Sequence, residues 1–120
     1  MAEGEGRTKF NDLATAAGFD GTSAFAGESY DAAALILLAM QAAGSADPRV
    51  YKDKVMDVAN APGEKISAGE IGRALELIAA GTDIDYDGAS AVELVEPGES
   101  AGTYREVDFK GGQMNVVGMR

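Results

Sequence analysis

Neither cysteine nor histidine occurs among the 120 residues. The first absence excludes disulfides and thiol chemistry, and a chain of this length folds without such staples. The second excludes histidine acid/base catalysis and the common zinc ligand sets. Basic residues are also scarce. Ten Lys and Arg stand against twenty Asp and Glu, a formal charge of -10. That sign repels phosphate backbones, and no Lys/Arg cluster offsets it locally, so nucleic acid is an unsuitable partner; the charge serves solubility. Long apolar runs are missing too. The longest, Ala32 to Met40, is too short to cross a bilayer. Met1 to Gly6 is acidic and has no apolar core of the kind an export signal needs.

A 46% hydrophobic share with 25% charged residues describes a folded domain rather than a disordered chain. Phe10, Leu13, Ala14 and Ala17 fall at i, i+3, i+4 and i+7, which predicts an amphipathic helix closed by Gly18. Glu28 to Ser45 is the most informative stretch. A polar, aromatic corner enters an almost wholly apolar helix that stops at Gly44, so this helix is expected at the buried centre. Ser29 is its expected cap, with Glu28 and Asp31 beside its positive end. Asp47-Pro48 opens a third helix, and Tyr51, Val55, Val58 and Ala59 form its inner stripe. Ser67 to Glu70 has capping-box spacing ahead of a fourth helix, with Ile71, Ala74, Leu75 and Ile78 inward and Gly81 at its end.

Past Gly81 the hydrophobic period changes from helical to alternating. Ala91 to Val95 and Tyr104 to Lys110 read as strands, Gly111-Gly112 as a two-residue hairpin turn, and Met114 to Met119 as the returning strand. The expected class is α+β: about four helices followed by a small antiparallel β-ribbon. Residues 1–120 form one domain, divided into a helical block, 1–82, and a connector with the ribbon, 83–120.

Asp83-Ile84-Asp85-Tyr86-Asp87-Gly88 copies the opening of an EF-hand loop, with carboxylates at alternate positions and then a turn glycine. The twelfth position is Leu94 where a bidentate Glu is needed, and the segment that follows reads as a strand rather than a helix. An acidic connector is therefore weighed against calcium binding within a self-contained acidic interaction module. A glycosidase-like carboxylate pair needs an apolar pocket that no sequence feature specifies, and the glycines lack phosphate-loop spacing, so no enzyme is expected. No catalytic, cofactor or metal residue is assigned. Phe25, Glu28 and Tyr30 at the entrance to the second helix are the candidate ligand-binding residues. Their aromatic rings would meet an apolar solute, and the carboxylate would accept from a ligand ammonium. As packing residues, Phe25 would be a staple, Tyr30 half-buried and Glu28 a dipole partner.

Three phrases resemble the C-terminal part of type I periplasmic solute-binding proteins of the branched-chain amino acid (Leu/Ile/Val-binding) family: Ala24 to Ala33, Asp83 to Ser90, and Gly102 to Val107. The resemblance implies part of a two-lobed α/β fold with its ligand in the cleft between lobes. It further implies a non-catalytic periplasmic receptor that takes an amino acid or related small solute and presents it to an ABC permease. It would make this chain the C-terminal portion of such a receptor, without the export signal, and leave it prone to self-association through an uncovered second helix. No cofactor is implied.

Overall fold

A computed structural model describes residues 4–120. The described residues hold four helical stretches: α1 (Glu5–Ala17), α2 (Ala26–Ala43), a broken stretch 48–59, and α5 (Ile71–Ala79). The broken stretch consists of α3 (Pro48–Tyr51), a 3-10 turn (Lys52–Lys54) and α4 (Val55–Ala59). Strands β1 (Glu64–Ser67) and β2 (Ile84–Gly88) flank α5, and β3 (Glu93–Val95), β4 (Glu99–Ala101), β5 (Arg105–Lys110) and β6 (Gln113–Met119) complete the chain. The class is α+β, as expected. The strands do not form one ribbon. β1 and β2 pair in parallel, with α5 as the crossover, while β3–β4 and β5–β6 are separate antiparallel pairs. β2 thus pairs back into the block expected to be helical.

The cores explain these elements. Ala34, Leu35, Leu38 and Ala39 of α2 pack with Val58, Ala59, Ile66, Ala74, Ile84, Tyr86 and Val92. In β2 the inward residues Ile84 and Tyr86 alternate with the aspartates, the period-two pattern of a strand with one face buried. A smaller core joins Phe10 and Ala14 of α1 to Ala68 and Ala89. On α1 it is Arg7, rather than Leu13 or Ala17, that shares the buried face with Phe10 and Ala14. The second helix is central on one face only, because Ile36 and Leu37 are 43% and 45% exposed.

Local chemistry sets the ends. The Asp47 carboxylate accepts from the Arg49 N–H at 3.0 Å, with Pro48 in the first turn. The Glu70 carboxylate accepts from the Ser67 N–H at 2.8 Å, the reach-back half of a capping box, although Ser67 itself ends β1. The Asn60 side chain donates to the Leu94 carbonyl at 2.8 Å and accepts from the Leu94 N–H at 2.9 Å, tying α4 to β3. Gly111 and Gly112 both hold positive φ, 63° and 75°, as a type I′ hairpin turn requires.

One buried carboxylate connects the helices to the parallel pair. Asp31, on α2, is fully enclosed. It accepts from the Tyr86 hydroxyl at 2.9 Å, from the Ala89 and Ser90 amides at 2.8 Å each, and from the Ser90 hydroxyl. A helix-dipole partner was expected at this position; the side chain instead spans to the end of β2. Gly88 makes the approach possible. Its φ is 63°, and a Cβ there would collide with the Asp31 carboxylate and the Tyr86 ring.

Replacing Asp31 with Asn offers an amide donor to groups that are themselves donors. Asp31→Asn should lower stability by about 3 kcal/mol in urea titrations, the range seen when a buried charged hydrogen-bond set loses a member. Burial, with the adjacent Asp31 carboxylate adding to it, holds the Tyr86 phenol far above its ordinary value. The folded state therefore keeps a proton that unfolded tyrosine releases above about pH 10, so stability should fall as pH rises past that point. Tyr86→Phe should flatten this alkaline limb in pH-dependent unfolding.

Candidate functional site

The segment between α1 and α2 is held from beneath. The Arg7 guanidinium donates to the Gly21 carbonyl at 3.1 Å and stands 5.8 Å from the centre of the Phe10 ring. Gly27 leaves room for it, since a Cβ at that position would fall on Nη1. Asp20 accepts from the Thr22 amide at 2.8 Å and the Thr22 hydroxyl at 2.6 Å, which closes the turn and holds the Asp20 carboxyl below its ordinary value. These contacts deliver Phe25 to the start of α2 in a left-handed conformation, φ 63°, with its ring 75% exposed. Ser29, the expected cap, lies inside the helix, and Phe25 caps it without a side-chain hydrogen bond.

A cavity of about 450 Å³ opens beside this corner. Thr22, Ala24, Phe25 and Glu28 form one wall, Ser90 lies below, and the opposite wall is the segment Ser100 to Arg105 with Val107 and Met114 of the hairpin. The lining is largely apolar, with a few polar groups, a composition suited to a small organic ligand. The Glu28 side chain carries the sharpest signal: its Oε2 atom is buried and has no hydrogen-bond partner among the described residues. A buried carboxylate oxygen without a donor is costly, and Arg7 Nη1 is a buried donor likewise without a partner among the described residues.

The structure brings together two of the three residues singled out from the sequence. Phe25 and Glu28 line the cavity, whereas Tyr30 points into the smaller core. Its ring lies 5.2 Å from that of Phe10, and its hydroxyl accepts from the Gly69 amide at 3.0 Å. Sequence reasoning passed over Arg7, Ser90 and the hairpin side of the cavity. Arg7 left a trace, as a charged residue on the apolar stripe of α1. The hairpin side left none, because its approach to α2 is a tertiary event.

Within the acidic run, Ile84 to Gly88 form strand β2 with Asp83 just before it, in place of a calcium loop. Alternation along β2 spaces its aspartates out along one side instead of wrapping them around a point, and Asp87 stands 3.3 Å from Lys65. No group of three or more potential metal-ligating side chains converges among the described residues. The calcium-binding alternative is corrected accordingly.

Over 62 residues, 52% of this chain, the sequence is 42% identical to the chemotactic signal transduction system substrate-binding protein BasB of Halobacterium salinarum. The likeness is to a substrate-binding protein. The matched stretch is 15% of that relative, so the chain spans well under two thirds of it. No family model and no solved structure matches. The finding corrects the expected place in the branched-chain amino acid family: the similar protein is a chemotactic substrate-binding protein of a different family. The geometry gives the reason. Two of the phrases that carried the resemblance contain Asp31 and Tyr86 to Ser90, the two halves of one buried contact. Part of the resemblance therefore records packing.

Phe25 holds a conformation that costs a side chain with a Cβ about 1 kcal/mol. Phe25→Gly should therefore raise the unfolding free energy by about that amount in urea titrations while removing one wall of the cavity.

Proposed function

We propose that this chain forms part of a substrate-binding receptor and that the cavity beside α2 is part of its small-molecule site. The observation carrying this reading is an apolar, aromatic-rimmed cavity lined by Phe25 and Glu28, beside a likeness to a substrate-binding protein. The ligand class is a small solute with a protonated amine. Its ammonium donates to Glu28, and its apolar part lies against Phe25, Val107 and Met114. The receptor binds and releases this solute without transforming it. Its place is outside the cytoplasmic membrane. By the same likeness, the partner that reads the bound state is a membrane-associated signalling or uptake component.

Amide NMR titration of the full chain with a series of small primary amines tests the reading. Shifts should concentrate at Phe25, Glu28 and Ser90, and Glu28→Gln should weaken binding about tenfold or more, the contribution of one charge-assisted hydrogen bond. Uniformly absent shifts, or equal response in Glu28→Gln, would exclude an ammonium site here.

A further inference from the structure

The hairpin β5–β6 stands apart from both cores. Among the described residues its strands pack chiefly on each other, and a two-stranded ribbon alone is marginal in water. Its two faces differ. On one, Asp108 pairs with Lys110 at 2.8 Å and accepts from Asn115 at 3.2 Å, while Glu106 pairs with Arg120 at 2.8 Å. That face is completed by its own charges. The other aligns Val107 with Val116 and Phe109 with Met114, and Phe109 is 75% exposed.

The outer edge of β6 differs from every other strand edge. β6 runs seven residues, Gln-Met-Asn-Val-Val-Gly-Met, without a charged side chain. Each of the other five strands carries at least one. Natural edge strands are protected by charge, proline, brevity or a bulge; β6 lacks the first three, and its one irregularity, at Val117, lies beyond the Gln113 to Val116 stretch. Register fixes which groups are open. Lys110 and Gln113 flank the two-residue turn as a hydrogen-bonded pair, so Gln113 and Asn115 face β5 while the amides of Met114 and Val116 point outward.

We propose that two copies of this chain pair β6 against β6, antiparallel across a two-fold axis, giving a sheet in the order β5–β6–β6–β5. A second copy fits this edge for an electrostatic reason. Each chain carries a net charge of -10, so an interface between copies has to avoid opposing like charges. The β6 edge is the one strand edge where self-pairing brings none together. The seam would also join the apolar faces of both hairpins into one surface, with the completed charged faces left to solvent. The pairing itself uses the β6 backbone edge and does not rest on the ligand reading above, although the Val107 and Met114 side chains of the apolar face also line the cavity.

Analytical ultracentrifugation over a concentration series at about 1 M salt, where the Debye length is about 3 Å, should resolve a monomer–dimer equilibrium. In hydrogen exchange on the unaltered chain, the Met114 and Val116 amides should gain protection as concentration rises, while Gln113 and Asn115 stay protected throughout. Val116→Pro keeps the face apolar and removes one outward donor per copy. It should weaken the dimer about thirty-fold, two hydrogen bonds being lost. Phe109→Lys spoils the apolar face but not the edge and should leave the dimer constant within about threefold. A monomer at every concentration, a dimer in which Met114 and Val116 exchange freely, or a dimer lost in Phe109→Lys but kept in Val116→Pro would each overturn the proposal. The last would show stacking of faces in place of pairing of edges.

Discussion

The Asp31 carboxylate is the contact on which the arrangement of this chain turns. A bare carboxylate in a protein interior is strongly unfavourable, and among the described residues no ion pair offsets it. Four donors do: the phenol of Tyr86, two successive backbone amides and the hydroxyl of Ser90. Such a set is directional. It fixes the axial position of α2, the end of β2 and the conformation of the turn that follows, since moving any one of them strands a buried donor or acceptor. Apolar contacts alone would permit α2 to slide or rotate, because the helix is rich in similar Ala and Leu side chains. The aliphatic core supplies the bulk of the stabilisation, and the carboxylate supplies the register.

That register has a consequence at the cavity. Ser90 gives both its amide and its hydroxyl to Asp31 while forming part of the cavity lining. Glu28, on the preceding turn of the same helix, also lines the cavity and has a buried Oε2 without a hydrogen-bond partner among the described residues. One helix start therefore carries two carboxylates in opposite states, three residues apart. Asp31 is saturated with protein donors; Glu28 keeps one oxygen without a donor among the described residues. The division follows from backbone supply, because the turn after β2 presents its amides to Asp31 and leaves none directed at Glu28.

Much of this was legible in the sequence, and what escaped has identifiable causes. α1 and α5 announce themselves through three-to-four periodicity and α2 through its apolar run, each closed by glycine, and the β5–β6 hairpin through alternation around Gly-Gly. β1 gave almost no signal: four residues with Ile66 as the one core side chain fall below any periodicity test. β2 was visible but misleading, since Asp at every second position matches both a metal loop and the exposed side of a strand. The choice between them depended on Ile84 and Tyr86, whose burial is a property of the assembled core. Phe25 and Glu28 could be singled out because they precede a long apolar helix. Tyr30 could not be separated from them, as the direction of its ring depends on α1 packing beside it.

The parallel pair and the hairpin also show how little sheet the chain contains. Three pairs of strands share no strand, so each has two open edges. Two of the pairs limit the exposure of their edges: β1–β2 is short, flanked by charged Glu64 and Lys65 and packed beneath α2, α4 and α5, while β3–β4 has strands of three residues. The hairpin has neither brevity nor cover, and its β5 edge alone is charged. Exposure at β6 is thus not a general feature of a small α+β chain but a local departure from the protection given elsewhere. A strand that is long, neutral and open in a chain this acidic can add a neighbour without bringing like charges into contact.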